Sequence, residues 1–255
     1  MQRTGHRLYR QERGYSLIEI IVVAALIGIL AAISGIFVIS YRKSVAADSA
    51  GSDLAAAIRE TRATAMGQRN TYQMILFRRP TENSDGYVVI RYTNNALNVT
   101  TDTGYTTTAT LISRNSLPTD YRFQRFTESG AGVITPPPTI LSLPELPFTT
   151  NTFTFLTERG VDLGMSGPSA ILTFKSDGSI INTPPNADPT SNLNNVPFNG
   201  VIFLSSDIGD PATRSRQARA LTILGLTGRV TMWKNAGGNA PGTGIWVSGS
   251  RQASE

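Results

Sequence analysis

The chain has 255 residues and a formal charge of +5, with only 16% charged residues, a single His and no Cys. That composition excludes a disulfide framework, a thiolate nucleophile and a Cys-ligated metal centre, and so low a charge argues against an ordinary cytosolic enzyme. The charge is also uneven: Arg3, Arg7, Arg10 and Arg13 against Glu12 put +3 on the first 14 residues, where His6 also lies, and the remainder is nearly balanced.

The next segment is apolar. From Leu17 to Ile39 only Glu19 and Ser34 interrupt the run. As helix, the part after Glu19 spans about 30 Å, one hydrocarbon thickness. The run ends in Ser40-Tyr41-Arg42-Lys43 rather than in a small-residue cleavage site, so a membrane span fits better than a secretory signal. Four Arg before the span predict a cytoplasmic N-terminus and an exported remainder. An acid deep in a bilayer costs roughly 2.5–3.5 kcal/mol on insertion scales. Glu19 therefore either reaches the headgroups or awaits a positive partner. Ala24, Gly28 and Ala32, with Ala31 and Gly35, recur at the four-residue step that permits close helix approach in lipid; their abundance in spans is the plain alternative.

Arg13-Gly14-Tyr15-Ser16-Leu17-Ile18-Glu19 resembles the cleavage site of type IV prepilins and type II secretion pseudopilins. Tyr15 stands where Phe is usual and Ser16 where Thr is usual. The resemblance implies cleavage after Gly14 by a prepilin peptidase, N-methylation of Tyr15, and pairing of Glu19 with the Tyr15 ammonium of a neighbouring subunit. It implies no enzymatic activity and no cofactor. The expected partners are the prepilin peptidase/methyltransferase, other pilins or pseudopilins in a helical filament, and membrane lipid. The expected location is a bacterial inner membrane, single-pass, with incorporation into a surface filament open.

Ser44 to Arg69 predicts a continuing helix, with Ala47, Ala50, Leu54, Ile58, Thr61 and Ala65 on one stripe. Asp48, Ser52, Arg59 and Arg62 fall mostly off it and are expected on a solvated face. With the span this gives a helix of up to about 54 residues, about 80 Å long. Gly35, Gly51 and Gly67 are places to bend or end it; Ile36 stands where many pilins carry Pro. The stretch from Leu54 through Ile58, Arg59, Arg62, Ala63 and Gly67 to Asn70 resembles the GspH/FimT minor pseudopilins. Leu172–Ser179, Arg219–Ile223 and Thr227–Val230 look like that group's strand turn and closing strand pair.

After Asn70 the pattern predicts strands at Thr71–Arg79, Gly86–Thr93, Tyr105–Ser113, Tyr121–Phe126, Thr152–Leu156, Ala170–Lys175, Ser179–Asn182, Gly200–Ser205, Ala218–Leu224 and Arg229–Lys234. Ile245-Trp246-Val247 is a further candidate. Ser129–Pro138 and Thr183–Pro197 read as loops. The expected fold class is α+β, a pilin-like long N-terminal helix packed on antiparallel sheet. The expected divisions are a leader (1–14), transmembrane helix (15–41), exported helix (42–70), β-domain (71–234) and Gly/Ser-rich tail (235–255), with 94–169 unassigned.

Other chemistry is sparse. Asp102-Thr103-Gly104 copies the aspartic-protease tripeptide, once and without a preceding apolar strand. Asp207 and Asp210 are calcium candidates, against ordinary turn formation. Nucleic acid is the alternative partner, as for a DNA-binding competence pilin, through Arg214, Arg216, Arg219 and Arg251; a solubilising loop is the plain reading.

Overall fold

The computed structural model describes residues 16–78, 85–95, 106–123, 143–152, 166–182, 196–206, 217–235 and 246–248. Two compact units divide the chain, Met1–Lys43 and Ser44–Glu255. Helix α1 (Leu17–Gln68) contributes to each and continues without a break at Gly35 or Gly51. In the first unit, every described side chain from Leu17 to Ile39 is exposed.

In the second unit the helix is half core. Ala47, Ala50, Leu54, Ile58, Thr61 and Ala65 are all buried, as their spacing predicts. The helix stops after Gln68 in a Schellman turn. Asn70 N donates to Ala65 O (3.2 Å) and Arg69 N to Met66 O (3.4 Å). Arg69 takes the left-handed position, φ 54°, that usually falls to Gly.

All strand ladders here are antiparallel. Sheet A contains β1 (Thr71–Phe77), β2 (Gly86–Asn95), β3 (Thr106–Ser116), β5 (Thr149–Thr152), β6 (Ser166–Phe174) and β7 (Ile180–Asn182). Its order is β3-β2-β1-β6-β5, with β7 also paired to β6. Sheet B contains β4 (Tyr121–Phe123), β8 (Asn199–Ser206), β9 (Arg219–Leu224), β10 (Arg229–Asn235) and β11 (Trp246–Ser248), in the order β11-β10-β9-β8-β4. The unassigned middle segment thus supplies β3, β4 and β5. Differences from the expected strands are mostly of a few residues: β3 runs on to Ser116, β5 begins at Thr149, and β6 begins at Ser166. Residues 124–126 and 153–156, the loop 129–138 and positions 183–195 of the second loop lie outside the described residues.

One core joins the helix to both sheets. Leu54 and Ile58 meet Met74 and Leu172 of sheet A and Leu204 and Leu221 of sheet B in a single cluster. Each sheet is also apolar on its other face. Sheet A buries Ile75, Val88, Ile90 and Ile171 there, and sheet B buries Val201, Phe203, Ala218 and Ala220 against Leu143, Trp233 and Trp246. This double burial explains why β1 reads Met74-Ile75-Leu76-Phe77 rather than alternating. Polar side chains in the far layer of sheet A satisfy one another. Tyr92 Oη donates to Gln73 Oε1 (2.8 Å), and Gln73 Nε2 donates to Thr173 Oγ1 (3.0 Å).

The charges expected on a solvated helix face instead bind the sheets. Arg59 donates to Val230 O (2.8 Å) and Arg62 Nε to Gly178 O (2.7 Å). Asp48 accepts from Arg219 Nε (2.8 Å) and Lys234 Nζ (2.9 Å). Ser52 and Arg59 are exposed, Ser52 with its hydroxyl on Ser49 O, while Asp48 and Arg62 are half-buried. The physical reason is geometric: the one helix flank that carries Asp48, Arg59 and Arg62 runs beside strands and turns of both sheets, so long side chains there reach their backbone carbonyls and charged groups. Arg62 fits because two turns lack a Cβ beside it. Gly178 (φ 84°) in the β6–β7 turn and Gly228 (φ 63°) in the β9–β10 turn both abut its guanidinium. Asp85, buried at the start of β2, ties the sheets together by accepting from Phe123 N of β4 (2.7 Å).

Candidate functional site

The candidate site is the N-terminal end of α1. Ser16 occupies its N-cap: Glu19 N and Ile20 N donate to Ser16 O at 3.0 and 3.2 Å. Ser16-Leu17-Ile18-Glu19 has the spacing of a capping box, which places Glu19 at the third helical position. Four unsatisfied N–H groups and the positive end of the helix dipole lie there, so a carboxylate in the first turn is favoured. Glu19 is exposed. A residue that reads in sequence as an acid in a membrane span is, in the folded helix, also the acid of its first turn. Gly14 and Tyr15 lie outside the described residues.

The surface that follows is a continuous apolar cylinder. Leu17–Gly35 has a mean hydropathy of 2.7 and none of it is buried. Nineteen residues of helix rise about 28 Å, enough to cross a hydrocarbon core. Leu17 is 77% exposed and Leu30 63%. A helix that is apolar all round and uncovered calls for lipid or other helices as its solvent. Ser34 is satisfied internally, its hydroxyl donating to Leu30 O (2.7 Å), as such an environment requires. Gly28 and Gly35 have nothing within 4 Å of where a Cβ would stand, so both leave room for a neighbouring backbone.

The remaining sequence candidates do not assemble into a site. Arg219 is 3% exposed and engaged by Asp48 and by Ala218 O (2.8 Å). Its charge is turned inward and offers nothing to a phosphate. Burial resists ionisation of Asp48, but the bonds from Lys234 and Arg219 outweigh it and hold the carboxyl below its usual value. Arg214, Arg216, Arg251, Asp207, Asp210 and the tripeptide 102–104 lie outside the described residues. Among the described residues no three His, Cys, Asp or Glu come together to hold a metal. The Asp48–Arg219–Lys234 cluster had no sequence signal, because its members stand 171 and 186 residues apart.

Residues 9–35 match the family model of the prokaryotic N-terminal methylation motif. No curated protein and no solved structure matches the chain. The motif, together with one helix long and apolar enough to cross a membrane, fits a single-pass inner-membrane protein. Cap, carboxylate and uncovered apolar helix therefore coincide with a type IV pilin-like methylation motif at the head of the chain.

Proposed function

We propose that the chain is a structural subunit, a minor pilin or pseudopilin of the GspH/FimT kind, in a type IV pilus or type II secretion filament. The observation that carries this reading is the methylation motif lying across the start of an exposed apolar helix. Cleavage after Gly14 leaves that helix on the mature protein and creates a new amine on Tyr15. That amine is the positive partner for Glu19 of a neighbouring subunit. A lone carboxylate in low dielectric is costly, and the pair removes the cost while fixing axial register. The leader stays cytoplasmic and the β-unit is exported. The role is assembly, not catalysis. Nucleic-acid binding loses one of its four candidate residues, since Arg219 is ion-paired in the interior.

The test is mass spectrometry of the N-terminal peptide from sheared filaments and from membranes. The expected product begins at methylated Tyr15 and is scarce in filaments. An uncut Met1 terminus in both fractions refutes the reading. Glu19→Ala should leave cleavage intact and reduce incorporation; unchanged incorporation removes the pairing mechanism.

A further inference from the structure

A groove of about 320 Å³ runs between helix α1 and strands β2 and β3. Its floor is apolar, with Ala57, Val89 and Ile112, and Asp53 and Glu60 stand on its rim. Ile112 is the extra residue of a bulge in β3, opposite the Val89/Ile90 step, and is 50% exposed. Burial and then the charges of Asp53 and Glu60 push the Tyr87 hydroxyl up, so both carboxylates bear on the groove. Asp53 accepts from Ser49 Oγ (3.0 Å); neither acid has a basic partner among the described residues.

The opposite flank of the helix carries a complementary projection. The β9–β10 turn, 225–228, presents Leu226 at 71% exposure and Leu224 at 38%, followed by exposed Arg229. Arg229 has no acidic partner among the described residues. The turn is held from behind: Ile180 N donates to Gly225 O (2.9 Å), Gly225 N to Asn199 Oδ1 (3.1 Å), and Gly228 rests on Arg62. An exposed apolar side chain on a fixed turn binds with little ordering cost. Glu60 marks the groove stripe and Arg62 the turn stripe. Two residues of helix separate them by about 200°, so groove and turn point away from each other.

We propose that this groove receives the β9–β10 turn of a second copy of the chain, with Leu226 over the apolar floor and Arg229 against the Asp53–Glu60 rim. Two different surfaces on opposite flanks make a heterologous contact, which propagates as an open series rather than closing on a dimer. The inference rests on the filament reading above and adds to it the contact between neighbouring β-units.

The chain has no Cys, so a pair can be introduced cleanly. Full-length chain carrying Ile112→Cys and Leu226→Cys is treated in membranes with a short bismaleimide. The expected product is a ladder of multimers. Chains carrying one Cys each, mixed, should give a heterodimer and nothing larger; each alone should give no multimer. Glu60→Arg should cut the ladder by roughly tenfold or more. Glu60→Gln, gentler on the fold, should move it in the same direction, and adding Arg229→Glu to Glu60→Arg should restore it. Absence of the 112–226 product, a ladder indifferent to these charges, or a product joining the chain only to a different protein overturns the proposal. The Tyr15 peptide is read in the same samples. Methylated Tyr15 without the 112–226 product leaves the filament reading standing and removes only this contact.

Discussion

Replacing Arg62 by Ala tests whether the helix is clamped or merely packed. The structure gives its guanidinium a 2.7 Å bond to Gly178 O and close packing against Gly178 and Gly228. A charged hydrogen bond of this kind contributes about 1.5–3 kcal/mol, and its loss leaves the carbonyl of a buried Gly without this donor. The apolar stem of Arg also covers surface that Ala exposes. Arg62→Ala should therefore cost roughly 2–3 kcal/mol. Arg69, exposed beyond the helix end, supplies the control: Arg69→Ala should stay within about 0.5 kcal/mol. Urea unfolding of the full chain in detergent micelles, followed by fluorescence of the two Trp, reports the sheet that both occupy. The expected result is a lower midpoint at unchanged slope. If Arg62→Ala falls within the range of Arg69→Ala, Arg62 is a solvated charge and the clamp is wrong.

Three further outcomes are expected. Arg69→Gly should raise stability by about 1 kcal/mol in the same assay, because a left-handed residue with a Cβ carries a strain of roughly 1–2 kcal/mol that Gly lacks. Gly228→Ala should cost at least that much, since its Cβ would also meet Arg62; in an Arg62→Ala background the cost should shrink, and strict additivity would deny the contact. Asp48 is held below its ordinary 3.8, so its share of stability is complete above that value and is lost as pH falls through the lower folded value. Asp48→Asn should flatten stability against pH below 3.8, and a profile identical to the parent would count against the ion-pair cluster.

Period and punctuation carried much of the architecture. The stripe from Ala47 to Ala65 identified the buried helix face, and the stretch Leu172–Ser179 identified a strand turn that Asp177 closes by accepting from Ser179 N (2.8 Å). The carboxylate and the apolar run at the head of α1 were legible for the same reason, being neighbours in sequence, whereas the cap at Ser16 came only from the folded helix. What escaped was set by long-range geometry. Arg59 and Arg62 look like plain solvent residues until strand β10 and the β6–β7 turn lie beside their flank of the helix. Asp85 stands just before a predicted strand in sequence but bridges the two sheets in space. The second apolar layers were hidden because continuous hydrophobic strands fit one-sided and two-sided burial equally well.

Strand β1 sits at the centre of sheet A, paired on one side to β2 within a hairpin's reach and on the other to β6, with Tyr72 opposite Phe174. During synthesis, Met74-Ile75-Leu76-Phe77 therefore emerges about 100 residues before the strand that covers its second edge. Closing so long an interval carries an entropic cost that local hairpins avoid. Until β6 arrives, this apolar strand has an open backbone edge, the template on which misassembly begins. The late partner makes folding of this unit slow by topology, and places its period of greatest vulnerability before the chain is complete.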